Sequence, residues 1–205
     1  VVKGIEDKPV TEWLSARVED LSPPLEFDLI TGGHSNLTYK VTDQDERRWV
    51  LRRPPLGHVL SGAHDMVREH RLLSSLSDSA VPVPPVVGLC TDTDVNGADF
   101  YVTEFVDGHV LRDQESASAV PTDRRGHLGR QLVGALAAVH SVDLEATSLA
   151  DLGKREEYVA RQLRTWLRQF NAMTARDLPI IERVHDALAA HIPQQDEATL
   201  IHGDF

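Results

Sequence analysis

The hydrophobic positions in the first half of the chain predict one amphipathic helix followed by a sheet. Apolar residues recur every three or four positions over 10–21, which is typical of a helix, and Pro23-Pro24 ends that pattern. Beyond it, apolar and polar residues alternate as they do in half-buried strands. The five strand-like runs occupy 25–29, 37–42, 49–51, 86–91 and 98–106. The pair Asn96-Gly97 predicts a two-residue hairpin turn between the last two runs.

Helical periodicity dominates most of the remaining sequence. The four further predicted helices occupy 59–76, 122–140, 154–170 and 179–191. The first of these lies between the third and fourth strands, and nearly everything after Asp107-Gly108 is helical. We therefore predict an α+β fold of two lobes. A five-stranded antiparallel sheet with one helix lies in the first lobe, 1–106, of which 1–24 is a helical extension, and a partial helical lobe occupies 107–205.

The composition narrows the classes of partner. The formal net charge is -11 for 205 residues, which argues against nucleic acid and anionic membranes as main partners. No hydrophobic run approaches the length of a membrane span. The single cysteine, Cys90, lies in an apolar run and is predicted to be a buried thiol. One cysteine without an internal partner fits a reducing compartment, so we expect a cytoplasmic protein.

Paired glycines lie between the first two predicted strands. Residues 31–36 are Thr-Gly-Gly-His-Ser-Asn. Glycines at a hairpin tip let the backbone approach a ligand closely, and free amides there suit phosphate oxygens. An ordinary glycine turn is the alternative, and this segment alone leaves both interpretations open.

Two arginines end the third predicted strand. Alternation places Val50 and Arg52 on one face and Leu51 and Arg53 on the other. Glu69 follows Arg52 by seventeen residues and lies in the middle of the predicted helix, from where it can reach back to form an ion pair. We therefore predict an Arg52–Glu69 pair and expect Arg53 to point to solvent or to the helix exterior. A solvated basic pair at a strand end is the alternative.

The last residues place a carboxylate after a short apolar run. Leu200 and Ile201 precede His202-Gly203-Asp204, which is typical of a strand that delivers Asp204 into a loop. A turn with a solvated aspartate is the alternative for the fragment in isolation. The spacing of the histidines in this part of the chain does not support a metal site.

The order of these features resembles the aminoglycoside phosphotransferase family of kinase-like folds. Five strands with a helix after the third, a hinge, and helices leading to His-Gly-Asp cover nearly the whole chain. Residues 49–55, Trp-Val-Leu-Arg-Arg-Pro-Pro, and 68–73, Arg-Glu-His-Arg-Leu-Leu, look most like a branch found also as the kinase-like module of acyl-CoA dehydrogenase fusions. Residues 136–140 and 200–204 fit the same branch.

The resemblance implies a role for each matching residue. Asp204 would be the catalytic base, Arg52 the cation on the nucleotide phosphates and Glu69 its orienting partner. Val50 would lie against the adenine ring. The residues implied to lie over the nucleotide phosphates are Gly33, His34, Ser35 and Asn36. The carbonyl of Glu104 and the amide of Val106 would form hydrogen bonds with adenine.

The implied activity is transfer of a phosphoryl group from ATP or GTP to a hydroxyl group of a small molecule. The Mg²⁺ ligands of the family would lie beyond Phe205, so we expect the sequence to be the first part of a longer protein and inactive by itself. The alternative is a kinase-like module that binds nucleotide, or nothing, and serves a regulatory role. The combination of Arg52, Glu69 and Asp204 favours the enzyme. The sequence does not indicate an oligomeric state.

Overall fold

The predicted five-stranded antiparallel sheet is confirmed and organises the first part of the molecule. The computed structural model describes residues 2–30, 36–57, 64–111, 113–173 and 178–203. The strands are β1 (Glu26–Leu29), β2 (Leu37–Thr42), β3 (Arg48–Arg53), β4 (Val86–Cys90) and β5 (Phe100–Glu104). Their order in the sheet is β1-β2-β3-β5-β4, so β3 lies at the centre.

Helices precede, interrupt and follow this sheet. They are α1 (Asp7–Ser15), α2 (Met66–Leu76), α3 (Thr93–Asn96), α4 (Gln114–Ser118), α5 (Thr122–His140), α6 (Tyr158–Met173) and α7 (Pro179–Ala189). The α1 helix ends six residues before the predicted limit of Leu21, and the sequence pattern missed α3 and α4. None of the helices in the described ranges combines the length and apolar character that a membrane crossing requires.

The two faces of the sheet have different environments. Trp49 and Leu51 of β3 point to the face that packs on α1, where they are 6% and 0% exposed. Val102 of β5 pairs with Leu51 and lies on the same buried face. The core on this side comprises Ile5, Val10, Leu14, Leu25, Phe27, Tyr39, Val41, Trp49, Leu51, Cys90, Phe100 and Val102. The burial of the Cys90 thiol agrees with the prediction.

The opposite face is only partly covered. The α2 helix contacts β4 and β5, and its Met66 and Leu76 side chains are buried there. Val50 and Arg52 of β3 remain half-buried. We call this side, over β1, β2 and β3, the open face of the sheet. It is the surface on which a ligand can contact strand side chains.

The predicted hairpin turn at Asn96-Gly97 is wrong. These residues end the short helix α3, whose first turn is capped by the Asp92 side chain on the Asp94 amide at 3.0 Å. Gly97 has a φ of 70°, a left-handed conformation that glycine adopts without strain at a helix end. The Asn96 side chain is buried and accepts a hydrogen bond from the Glu6 amide at 2.9 Å. Its tertiary role therefore overrides the local turn preference.

Residues His140–Gly203 form a second compact unit, separate from the unit that ends at Val139. Within it, α6 packs against α7. Residues 192–203 contain no strand, so the predicted strand end at Leu200-Ile201 is wrong for the described residues. The lobe boundary between residues 106 and 107 stays a prediction.

A buried carboxylate organises the turn between β2 and β3. Asp43 is 3% exposed and accepts hydrogen bonds from the backbone amides of Ser22, Asp45 and Arg47. The Arg47 guanidinium adds a bond from Nε at 3.0 Å. Burial alone would raise the pKa of Asp43, but the bonds from Arg47 and Ser22 outweigh it and lower the pKa from its usual value.

The lowered pKa of Asp43 predicts a loss of stability in acid. Above the ordinary pKa of 3.8 the carboxylate stabilises the fold fully, and this contribution declines as the pH falls through the lower folded value. Asp43→Asn should cost about 1–3 kcal/mol in unfolding free energy at pH 7, and the difference from wild type should shrink below pH 3.8. Urea unfolding across this range measures it, with the exposed Asp78→Asn as the control. A difference independent of pH would contradict the assignment.

Candidate active site

The ion pair predicted between β3 and α2 is present. Nε of Arg52 lies 2.9 Å from Oε2 of Glu69, although its N–H is not aligned for a hydrogen bond. Both side chains are about one-third exposed, at 37% and 30%. The terminal nitrogens of Arg52 donate no hydrogen bond to the described part of the chain, and they are therefore available to an anionic ligand.

Glu69 lies nearer the start of its helix than the sequence predicts. The prediction of a mid-helix position is wrong, because α2 begins at Met66 and Glu69 belongs to its first turn. Asp65 caps this helix by accepting from the Arg68 amide at 2.8 Å. A carboxylate in the first turn is favoured by the partial positive charge of the helix N-terminus.

Two neutral side chains donate hydrogen bonds to the Glu69 carboxylate, and a histidine contacts one of them. The Tyr101 hydroxyl donates to Oε2 at 3.0 Å, and the Asn36 side-chain amide donates to Oε1 at 3.0 Å. The Asn36 oxygen is in turn 2.6 Å from Nδ1 of His64. Burial and the adjacent Glu69 carboxylate raise the pKa of Tyr101, so that its hydroxyl remains a donor at neutral pH. The sequence pattern did not identify Tyr101 or His64.

Arg53 does not point to solvent, and that prediction is wrong. Its side chain is 6% exposed on the α1 side of the sheet. Nη1 donates to the carbonyl of Gly4 at 2.5 Å and to the carbonyl of Asn96 at 3.0 Å. Arg53 therefore ties the N-terminal segment to the back of the sheet, and only Arg52 of the two arginines is on the open face.

Backbone groups suited to hydrogen bonding with a ligand lie at the end of β5. The Phe105 amide donates to the Arg48 carbonyl, so the polar groups of Glu104 point towards β4 instead. There the Glu104 amide donates to the Pro85 carbonyl at 2.9 Å. Because proline has no N–H, Pro85 cannot return a hydrogen bond to the Glu104 carbonyl. No described backbone carbonyl accepts from the Val106 amide.

Side chains of neighbouring strands line the open face between the end of β5 and the Arg52–Glu69 ion pair. Val50 pairs with Lys40 of β2 on one side and with Thr103 of β5 on the other. Lys40 is held by Asp28 at 3.0 Å. Val50 thus presents an apolar surface within a polar row, two positions before Arg52. Its contact with a nucleotide base stays a prediction.

Four of the candidate residues lie outside the described residues. They are Gly33, His34, Ser35 and Asp204, and their roles stay predictions. Asn36 is described, and its amide bonds to Glu69 and His64. Among the described residues, no group of three or more histidine, cysteine, aspartate or glutamate side chains is arranged to hold a metal ion.

A cavity lies within the second unit. Its volume is about 590 Å³, and segments 155–160 and 192–198 line it. Acidic side chains dominate its charge, and the Gln195 side chain spans it by bonding to the Tyr158 amide and the Arg155 carbonyl. Such a cavity disfavours the phosphates of a nucleotide.

The five-stranded sheet with α2, the Arg52–Glu69 pair and the following helices define a kinase-like α+β fold. Residues 26–205 match the model of the APH phosphotransferase enzyme family. The chain therefore belongs to this family, and the resemblance inferred from the sequence is confirmed.

Similar proteins include several acyl-CoA dehydrogenase family members. Identity is 38% over 182 residues with mouse acyl-CoA dehydrogenase family member 10, which covers 89% of this chain and 17% of the relative. The probable acyl-CoA dehydrogenase IBR3 of Arabidopsis thaliana is 36% identical over 197 residues, or 89% of this chain and 24% of the relative. The chain thus spans less than a quarter of either curated relative.

Two solved structures share the fold. A proposed aminoglycoside phosphotransferase from Ralstonia eutropha JMP134 is 33% identical, with a TM-score of 0.73 over 94% of this chain and 55% of that one. A type I macrolide 2'-phosphotransferase is 20% identical, with a TM-score of 0.57 over 97% of this chain and 64% of that one. The second match shows the fold alone.

Proposed function

We propose that the protein binds ATP or GTP on the open face of the sheet and transfers its γ-phosphoryl group to a hydroxyl of a small molecule. The observation that carries this proposal is the Arg52–Glu69 ion pair at 2.9 Å, on the same face as Val50. Membership of the phosphotransferase family supports the reaction class.

The nucleotide would be held at two points. The base would accept a hydrogen bond from the Val106 amide and donate one to the Glu104 carbonyl, with Val50 against the ring. The free guanidinium nitrogens of Arg52 would then contact the phosphates, and Glu69 would orient this guanidinium. This local positive charge is needed because the chain carries a net charge of -11. A backbone contact to the base leaves the choice between ATP and GTP open.

Asp204 would act as the base of the reaction. It would accept the proton of the acceptor hydroxyl while the hydroxyl oxygen bonds to the γ-phosphorus. The bond from the γ-phosphorus to the β–γ bridging oxygen would break, and the nucleoside diphosphate would leave. Bound Mg²⁺ would neutralise phosphate charge. Among the described residues, no group of three or more histidine, cysteine, aspartate or glutamate side chains is arranged to hold it.

Phosphorus NMR of the full-length protein tests the activity. The protein is mixed with MgATP or MgGTP and a panel of hydroxyl metabolites that includes amino alcohols, hydroxy acids, sugars and an aminoglycoside. We expect a phosphate ester to form with at least one acceptor, and Asp204→Asn should abolish it. Nucleotide binding without any ester would instead favour a nucleotide-binding module without catalysis. A protein that binds no nucleotide would contradict the proposal.

A substitution at Pro85 tests whether the Glu104 carbonyl binds the nucleotide base. Pro85→Ala introduces an N–H opposite the Glu104 carbonyl, where it would compete with the nucleotide base. We expect MgATP affinity to fall about threefold to tenfold. Calorimetric titration measures the change, and Pro82→Ala, an exposed proline in the same run, is the matched control. Equal effects of the two substitutions would show that the Glu104 carbonyl is not the acceptor.

A further inference from the structure

The hydrogen bonds around Glu69 connect the sheet to the start of α2. Asn36 directly precedes β2, whereas His64 directly precedes Asp65, the N-cap of α2. The Asn36 side chain contacts both His64, at 2.6 Å, and Glu69, at 3.0 Å. One amide therefore bridges the beginning of a strand and the first turn of the helix.

The chemistry of the amide fixes the direction of each bond. The Asn36 nitrogen faces a carboxylate oxygen, which only accepts, so the nitrogen donates to Glu69. The Asn36 oxygen then faces Nδ1 of His64 and must accept, which places a proton on Nδ1. The histidine thus holds the amide in the one orientation that supports Glu69.

Both oxygens of the Glu69 carboxylate are occupied. Oε1 accepts from Asn36, while Oε2 accepts from Tyr101 at 3.0 Å and lies 2.9 Å from Nε of Arg52. Donors at both oxygens hold the carboxylate in place, and its charge attracts the guanidinium of Arg52. Rotation of Glu69 would move Arg52 away from the phosphates.

We propose that Asn36, oriented by His64, is a positioning residue that fixes Glu69 and, through it, Arg52. This inference rests on the proposed function, and it gives Asn36 a role other than the phosphate contact implied by the family resemblance. To touch a phosphate with the same N–H, Asn36 would have to release Glu69.

A double-mutant cycle separates the two roles of Asn36. If Asn36 acts through Glu69, Asn36→Ala should weaken MgATP binding about fivefold to tenfold in the wild type, but less than twofold in a Glu69→Ala background. Adenosine, which has no phosphates, should bind all variants equally. A general loosening of the fold would weaken the binding of both adenosine and MgATP. The exposed Asn171→Ala is the control, and it should change neither affinity.

The outcomes distinguish this inference from the proposed function. An equal loss of MgATP affinity in both backgrounds would show that Asn36 contacts the phosphates itself, and it would overturn the inference while leaving the function intact. An equal loss of affinity for adenosine and for MgATP would overturn the inference as well. A wild-type protein that binds neither ligand would overturn the proposed function, and the positioning role with it.

Discussion

Arg52→Ala should lower kcat/KM of the full-length protein for MgATP about a hundredfold, which corresponds to about 3 kcal/mol of lost transition-state stabilisation. The substitution removes the cation that we propose contacts the phosphates, and it leaves Glu69 without its charged partner. Arg52→Lys keeps the charge but loses the planar fork, so an intermediate loss is expected. Steady-state kinetics with varied MgATP measures both changes.

The same substitution should leave the folded protein nearly as stable. The Arg52 side chain is 37% exposed, and an exposed ion pair contributes less than about 1 kcal/mol to the free energy of unfolding. Arg164→Ala, which removes an exposed pair with Glu157 in the second unit, is the control and should change neither property. Full activity of Arg52→Ala, or a loss explained by unfolding, would contradict the role of Arg52.

Arg53→Ala should have the opposite profile, with a large loss of stability. The guanidinium is buried and donates to the carbonyls of Gly4 and Asn96, and its desolvation lowers the pKa of Arg53 from the usual value. Removing it takes this donor from the carbonyls of Gly4, Asn96 and Pro54 and creates a cavity. We expect the free energy of unfolding to fall by about 2–4 kcal/mol.

Chemical unfolding tests this expectation, with Arg48→Ala as a matched control in the same strand. Arg48 is 39% exposed and pairs with Asp107 at 2.7 Å, so its loss should cost less than about 1 kcal/mol. Equal costs at the two positions would show that Arg53 behaves as a surface residue after all.

The sequence predicted the sheet from local periodicity, and it predicted the Arg52–Glu69 pair from strand alternation together with the place of Glu69 in the following helix. Alternation assigns Arg52 to one face and Arg53 to the other, and this assignment is correct. It does not say what lies on each face. Two acceptors of Arg53, the carbonyls of Gly4 and Asn96, are 49 and 43 residues away in the chain, so its burial could not be predicted from the strand.

Long-range contacts account for the other differences in the same way. Asn96 has a local preference for a turn, but its side chain accepts from the Glu6 amide, 90 residues away. The His64–Asn36–Glu69 connection spans three separate segments, and none of them carries a distinctive motif for it. The position of Glu69 within α2 depends on the cap at Asp65, which the apolar pattern does not include.

The central claim is that nucleotide binds the open face of the sheet, between Arg52 and the backbone groups at the end of β5. Amide hydrogen exchange of the full-length protein, measured by NMR with and without MgATP, tests this most directly. We predict that MgATP slows exchange of the Val106 amide, because that amide would become a donor to the base, and that Pro85→Ala reduces the protection. Unchanged exchange at Val106, with protection confined to segments 155–160 and 192–198, would contradict the claim.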